Sequence, residues 1–137
     1  TYTELKKSWW GVPESLHLDA WGIVNGADGY EISIQNYPSK LQKQKLYFVN
    51  LGGYNKNEFT ELHKNIVVVA SNDSEAKIKS LKYISEFESP HRDYQFDIDK
   101  IWDVSDILLS KDKFFLHLFP TQKKIDFNFT CQYVPIG

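Results

Sequence analysis

Two runs and the segment behind them decide the fold: Lys45-Leu46-Tyr47-Phe48-Val49-Asn50-Leu51-Gly52-Gly53-Tyr54, then Asn65-Ile66-Val67-Val68-Val69-Ala70 leading into Ser71-Asn72-Asp73-Ser74-Glu75. Both runs are dense in β-branched and aromatic residues, so each reads as a strand. Gly52-Gly53 opens a loop of about a dozen residues, which lets the two strands lie side by side. Asn72 is a helix N-cap and Glu75, three residues on, closes a capping box. Ile78, Leu81, Ile84 and Phe87 follow at three-residue steps, predicting an apolar inner helix face to about Phe87, with Pro90 beyond it.

Upstream, Tyr2, Leu5, Trp9 and Trp10 fall at helical spacing with lysines between them. They predict an amphipathic helix that stops near Gly11 and Pro13, with the tryptophans as its buried face. Ala20 to Val24, the turn-forming Asn25-Gly26-Ala27-Asp28-Gly29 and the alternating Tyr30, Ile32 and Ile34 read as a hairpin. Asn36 to Lys45 has no apolar period and reads as a linker. Downstream, Tyr94 to Leu109 has a mixed pattern, Phe114, Leu116 and Leu118 alternate into Pro120, and Ile125 to Val134 reads as a last strand.

At 137 residues, with 42% apolar and 25% charged residues, the chain has the size and composition of one ordinary domain, able to bury about two-thirds of its surface. Sixteen basic residues stand against 18 acidic ones, and Arg92 is the only arginine. Bidentate phosphate or guanine readout has little to work with, so nucleic acid is not an expected partner. The single Cys131 cannot form an internal disulfide, which suits a reducing cytoplasm. The Ile66 to Ala70 run is far short of the roughly 20 residues that span a bilayer, so no membrane is expected. The chain has no methionine and opens inside a helical pattern, so residues upstream of Thr1 are expected.

An internal repeat organises these elements. Leu16-His17-Leu18-Asp19 recurs as Pro90-His91-Arg92-Asp93, an offset of 74 from His17 to His91. Asp28-Gly29-Tyr30-Glu31-Ile32-Ser33-Ile34 aligns with Asp112-Lys113-Phe114-Phe115-Leu116-His117-Leu118 at an offset of 84. The expected fold is α+β, with two related ββα-type modules whose helices pack on mainly antiparallel sheet. Residues 1–37 are the C-terminal part of a first module lacking its opening strands, 38–45 a linker, 46–120 a complete second module and 121–137 a C-terminal strand extension.

Leu16-His17-Leu18-Asp19, Asp28-Gly29-Tyr30, the run Lys45 to Tyr54 and Glu61-Leu62-His63 together resemble the bacterial family called domain of unknown function 1543. The resemblance covers roughly Thr1 to Pro120 and implies a module that occurs twice. The family has no established activity, so the resemblance implies an organisation and not a reaction.

All four histidines, His17, His63, His91 and His117, fall inside the recurring motifs, beside Asp19, Glu61 and Asp93. These residue types ligate metals or move protons near neutral pH, and His63, His91 and Asp93 are the metal candidates. No tight metal spacing such as His-Glu-x-x-His accompanies them, and a His-x-Asp step after a helix also satisfies loose backbone groups there. That structural role is the favoured reading. Pro90-His91-Arg92-Asp93 matches the kinase catalytic loop only by coincidence, because neither a glycine-rich phosphate loop nor Asp-Phe-Gly is present. Gly52-Gly53 reads as a turn with positive φ rather than a phosphate cradle. The tryptophans read as core, and Cys131 as a small buried or edge residue.

The expected function is a non-catalytic module that binds a small molecule or protein. Its candidate groove is formed by Gly52, Gly53 and Tyr54, by Glu61 and His63, and by a His-x-Asp turn, either His17 with Asp19 or His91 with Asp93. No cofactor is expected. The alternative is a small metal-dependent or acid/base hydrolase using the same His, Asp and Glu residues. A strand edge left open by the missing half-module could also pair with a second copy to make a homodimer.

Overall fold

The computed structural model describes residues 2–40, 42–86, 89–90, 98–109 and 114–137. It is mixed α+β, and every strand pairing among the described residues is antiparallel. The order is α1 (Tyr2–Ser8), a 3-10 turn (Pro13–Ser15), β1 (His17–Ile23), β2 (Gly26–Ala27), β3 (Tyr30–Gln35), β4 (Lys45–Tyr54), β5 (Leu62–Ala70) and α2 (Asp73–Ser80). A second 3-10 turn (Leu81–Glu86) follows, then β6 (Ser89–Pro90), β7 (Ile98–Asp103), α3 (Val104–Leu109), β8 (Phe115–Pro120) and β9 (Asn128–Pro135). Two compact units form, residues 1–25 with 126–137, and residues 26–125. No helix among the described residues is long and apolar enough to cross a membrane.

In the first unit β1 pairs with β9 as a two-stranded ribbon. The hairpin expected between Ala20–Val24 and Tyr30–Ile34 is therefore corrected. The chain reverses later, at Asp28 (φ 48°) and Gly29 (φ 79°), so the strand that precedes β3 is only the two-residue β2. Two consecutive left-handed residues match the twist of a tight hairpin. β1 is left for β9, and at Gly22 the Phe127 ring comes so near that a Cβ would lie 2.6 Å from it. The Ile136 and Gly137 amides both donate to the Leu16 carbonyl, at 2.9 and 3.1 Å. Leu16 and Ile136 are buried, but α1 buries no residue and Trp10 is 90% exposed. The tryptophans are thus not a buried helix face. Helical spacing defines a stripe, but a neighbour is needed to cover it.

The second unit holds two sheets. In the larger, β4 lies between β5 on one edge and, end to end along the other, β7 and β6. Tyr47, Val49, Leu51, Ile66, Val68 and Ala70 project from one face and pack with Ala76 and Ile84. The buried residues of α2 are Ala76 and Ser80, and Ile84 continues the four-residue step in the 3-10 turn that follows, whereas Ile78 is exposed. Of the predicted stripe, Ile84 is buried and Leu81 packs against the core. Ile78 is misplaced because buried positions follow the 3.6-residue turn, and Phe87 lies outside the described residues. After Ser80 the helix tightens into the 3-10 turn.

Asn72 does cap α2, accepting from Glu75 N at 3.0 Å. Glu75 returns to Ser71, accepting from its backbone N at 2.8 Å and its hydroxyl at 2.5 Å, so the box closes one residue earlier than the standard pattern.

The smaller sheet has the order β2-β3-β8. Its Leu116 and Leu118 pack on Leu46 and Val69, on the face of the larger sheet opposite α2. The segment read as a linker carries a structural side chain. Gln42 Oε1 accepts from Leu118 N at 2.8 Å while its Nε2 donates to the Leu116 carbonyl at 3.2 Å, extending the edge of β8 by one amide. The outer edge of β5 is closed at Val69, whose N–H donates to Asp28 and whose carbonyl accepts from Lys79, at 2.8 and 2.6 Å.

Candidate functional site

The register of β7, β4 and β5 determines what lies on the face of the larger sheet away from α2, because paired residues in an antiparallel ladder point to the same side. Leu46 and Val69 form the row covered by the smaller sheet. The next row is Trp102, Phe48 and Val67, and the one after it Lys100, Asn50 and Asn65. Then come Gly52 and His63, with Tyr54 continuing along β4 and Glu61 just before β5. Trp102, Phe48, Tyr54, Asn65 and His63 are exposed. Beyond its covered first row the described residues of this face grade from aromatic to polar, and Gly52 among them is buried.

The polar side chains are joined. His63 Nδ1 lies 3.2 Å from Asn50 Oδ1, and Asn50 Nδ2 donates to Asn65 Oδ1 at 2.7 Å. An amide oxygen only accepts, so the Nδ1 proton of His63 faces Asn50 and Nε2 faces Glu61, whose Oε2 is 3.8 Å away. His63, Asn50 and Asn65 form one hydrogen-bonded chain of groups held on two paired strands. At its aromatic end the Phe48 and Trp102 ring centroids are 5.7 Å apart, and the Lys100 ammonium stands 5.8 Å from the Trp102 ring, within cation–π range.

Gly52 and Gly53 do not make a turn. Both lie inside β4, opposite His63 and Leu62, and neither has a positive φ. The β4–β5 loop is therefore residues 55–61, shorter than expected, and at its tip Phe59 is fully exposed. Gly52, between Asn50 and Tyr54 along β4, is buried.

The structure brings together Gly52, Tyr54, Glu61 and His63. Gly53 is in register next to them but points to the other face. His91 and Asp93 lie outside the described residues. His17 and Asp19 belong to the first unit, where His17 Nδ1 is 2.8 Å from the Ser15 carbonyl and Nε2 is 3.5 Å from Asp19. The Tyr133 ring lies 4.8 Å from that imidazole. His17 thus bonds a carbonyl at the end of the 3-10 turn, the scaffolding geometry weighed for a His-x-Asp step. His117 is buried, with Nε2 2.8 Å from the Tyr37 carbonyl. Among the described residues no group of three or more His, Cys, Asp or Glu side chains could hold a metal.

Asn50, Asn65, Lys100 and Trp102 were not singled out from the sequence. For Asn50 the signal was there, a polar residue interrupting an apolar strand. For Lys100 and Trp102 it was not, because β7 sits in the mixed stretch. Elsewhere, Lys45 Nζ is 2.7 Å from Asp103 Oδ2, and this pairing holds the lysine above its ordinary value. Burial, with the charge of Asp73 nearby, pushes the Tyr47 phenol well up. Cys131 is free and exposed on β9.

Comparison with known proteins bears on the fold and on one end of the chain. A solved structure of a protein Il1583 from Idiomarina loihiensis is similar over 100% of this chain and 77% of its own length, with a TM-score of 0.62 and 22% identity, which supports the fold alone. No curated protein matches the sequence. The stretch 1–34, which contains Leu16-His17-Leu18-Asp19 and Asp28-Gly29-Tyr30, matches the family described as Domain of Unknown Function (DUF1543).

Proposed function

We propose that the protein is a non-catalytic binding module and that the open face of β7, β4 and β5 is its binding surface. The observation that carries this is the hydrogen-bonded chain His63, Asn50 and Asn65 displayed on an exposed strand face beside Trp102 and Phe48. Polar groups pre-positioned by a ladder lose little freedom when a ligand arrives. The hydrolase alternative draws on the pairing of His63 with Glu61, whose side chains are 45% and 32% exposed, so an acid/base reaction there gains little from desolvation. The test is 15N NMR mapping with a panel of small polar fragments, beside an esterase assay and elemental analysis. Shifts at the Asn50 and Asn65 amides and the Trp102 indole support the binding module. Fragments that bind only elsewhere, or not at all, overturn it. Turnover or stoichiometric metal lost in His63→Asn favours the hydrolase instead.

Three further parts belong to this reading. The offset of 84 maps Ser33 onto His117, which are partners in the β3–β8 ladder, and it maps the pair Ile32–Leu118 onto Leu116–Ile34, another pair of the same ladder. Such a self-consistent register supports a two-copy module with a local two-fold relation between β3 and β8. The unpaired thiol suits the cytoplasm. Homodimer formation has its best candidate edge in β9, whose residues 128–135 carry no charge. A dimeric mass in sedimentation that Thr130→Lys abolishes supports it, and a monomer at all concentrations removes it.

A further inference from the structure

We infer that the second unit holds a further binding site, separate from the face of β7, β4 and β5, and that it takes a small hydroxycarboxylate between His117 and Lys40. The site is an open hollow of about 310 Å³ lined by Tyr37, Pro38, Ser39, Lys40 and His117, where the segment after β3 is bonded to β8. A closed cavity of about 150 Å³ holds a benzene ring, so the hollow is of small-molecule size.

His117 carries the argument. It is polar, only 6% exposed, and its ring is fixed by its neighbours. Nε2 lies 2.8 Å from the Tyr37 carbonyl, the Tyr37 ring meets the imidazole edge-on at 5.0 Å, and the Phe119 ring is 6.1 Å away. A carbonyl only accepts, so Nε2 carries the proton and Nδ1 of the neutral ring presents a lone pair. That nitrogen has no partner among the described residues. It is not sealed in, either. The buried side-chain atoms without a partner are Gln44 Oε1 and Tyr47 Oη, so Nδ1 keeps access to the hollow that the ring borders. An imidazole anchored to a main-chain carbonyl through one nitrogen is oriented to use the other.

The rest of the lining selects the ligand. Ser39 stands beside His117 in the hollow, and its hydroxyl makes no hydrogen bond among the described residues. A ligand hydroxyl both donates and accepts, so it can donate to Nδ1 and accept from Ser39. Lys40 is exposed and forms no ion pair among the described residues. One ammonium matches one carboxylate, whereas a phosphate or nucleotide calls for clustered cations. Tyr37 and Pro38 supply apolar edges for the carbon skeleton between the two polar groups.

The test follows the 15N-labelled imidazoles and amides of the full chain at pH 8 against three probes of one skeleton. These are lactate, propionate, which lacks the hydroxyl, and propane-1,2-diol, which lacks the carboxylate. In the free chain Nε2 of His117 should be the protonated nitrogen. Lactate is expected to saturate with shifts at His117 Nδ1 and at the Ser39 and Lys40 amides, and to bind at least fivefold more tightly than either analogue. Lys40→Met, at an exposed position that does not threaten folding, should reduce lactate to the affinity of the diol. A proton on Nδ1 in the free chain overturns the inference. So does equal binding of lactate and propionate, an unchanged lactate affinity in Lys40→Met, or a hollow that no probe perturbs. The shifts are read at residues other than Asn50, Asn65 and Trp102, so the result stands apart from that of the binding face.

Discussion

Asn50 and Asn65 stand directly opposite each other in the β4–β5 ladder and are joined by a side-chain hydrogen bond of 2.7 Å. Cross-strand pairs of this kind stabilise a sheet modestly, by about 0.2–1 kcal/mol. A double-mutant cycle of Asn50→Ala and Asn65→Ala, read by urea denaturation, should return a coupling energy in that range. Additive single mutants would show that the two amides act independently.

Gln42 replaces a missing strand at the edge of β8, pairing with both Leu116 and Leu118. Gln42→Ala strands the Leu118 N–H, whose residue is buried, and should cost about 1–3 kcal/mol. Faster amide exchange at Leu118 in the variant would locate the loss. Unchanged exchange would mean that water replaces the glutamine.

Leu51 and Ile78 test the core assignment from opposite sides. Leu51 is fully buried and Ile78 is 67% exposed. Leu51→Ala should cost about 2–5 kcal/mol, and Ile78→Ala no more than about 0.5 kcal/mol. Comparable losses at both sites would mean that Ile78 is packed against the core and not exposed.

Asp103 accepts from Ser105 N at the start of α3 and pairs with Lys45. Asp103→Ala removes both contacts and should cost about 1–2 kcal/mol, mostly through the cap. The pairing raises the lysine's value, so its contribution is complete below pH 10.5 and fades as pH rises through the raised value. Lys45→Met should therefore flatten the alkaline limb of the stability profile, read by thermal melts from pH 9 to 12.

Glu75 works at the opposite end of the scale. Hydrogen bonds from the Ser71 hydroxyl and amide, with Lys79 beside it, hold its carboxyl at about 2, below the usual 4.5. A lowered value means that the stabilisation is present above pH 4.5 and lost as pH falls toward 2. Amide exchange in the first turn of α2 should accelerate across that window in the parent chain and not in Glu75→Gln. Identical profiles would remove the capping role.

The central elements of the second unit were legible from short-range chemistry. β4 and β5 carry β-branched and aromatic runs, and Asn72 with Glu75 marks a helix start, because strand propensity and capping act within a few residues of where they are written. β7 was not legible: Lys100, Ile101 and Trp102 alternate too briefly to reveal a strand, and only pairing with β4 makes them one. Gly52-Gly53 reads as a turn locally, yet a ladder on both sides of β4 holds it extended.

The sequence by itself determined the α+β class, the strand–strand–helix order and the presence of Glu61, His63 and Gly52 near one another, since all three follow from neighbours along the chain. Tertiary structure alone decided that Asn50, Asn65, Lys100 and Trp102 share a face, that β1 pairs with β9, and which stripe of α2 is buried. Register and burial depend on partners distant in sequence, and a one-residue shift would send every one of those side chains to the other side.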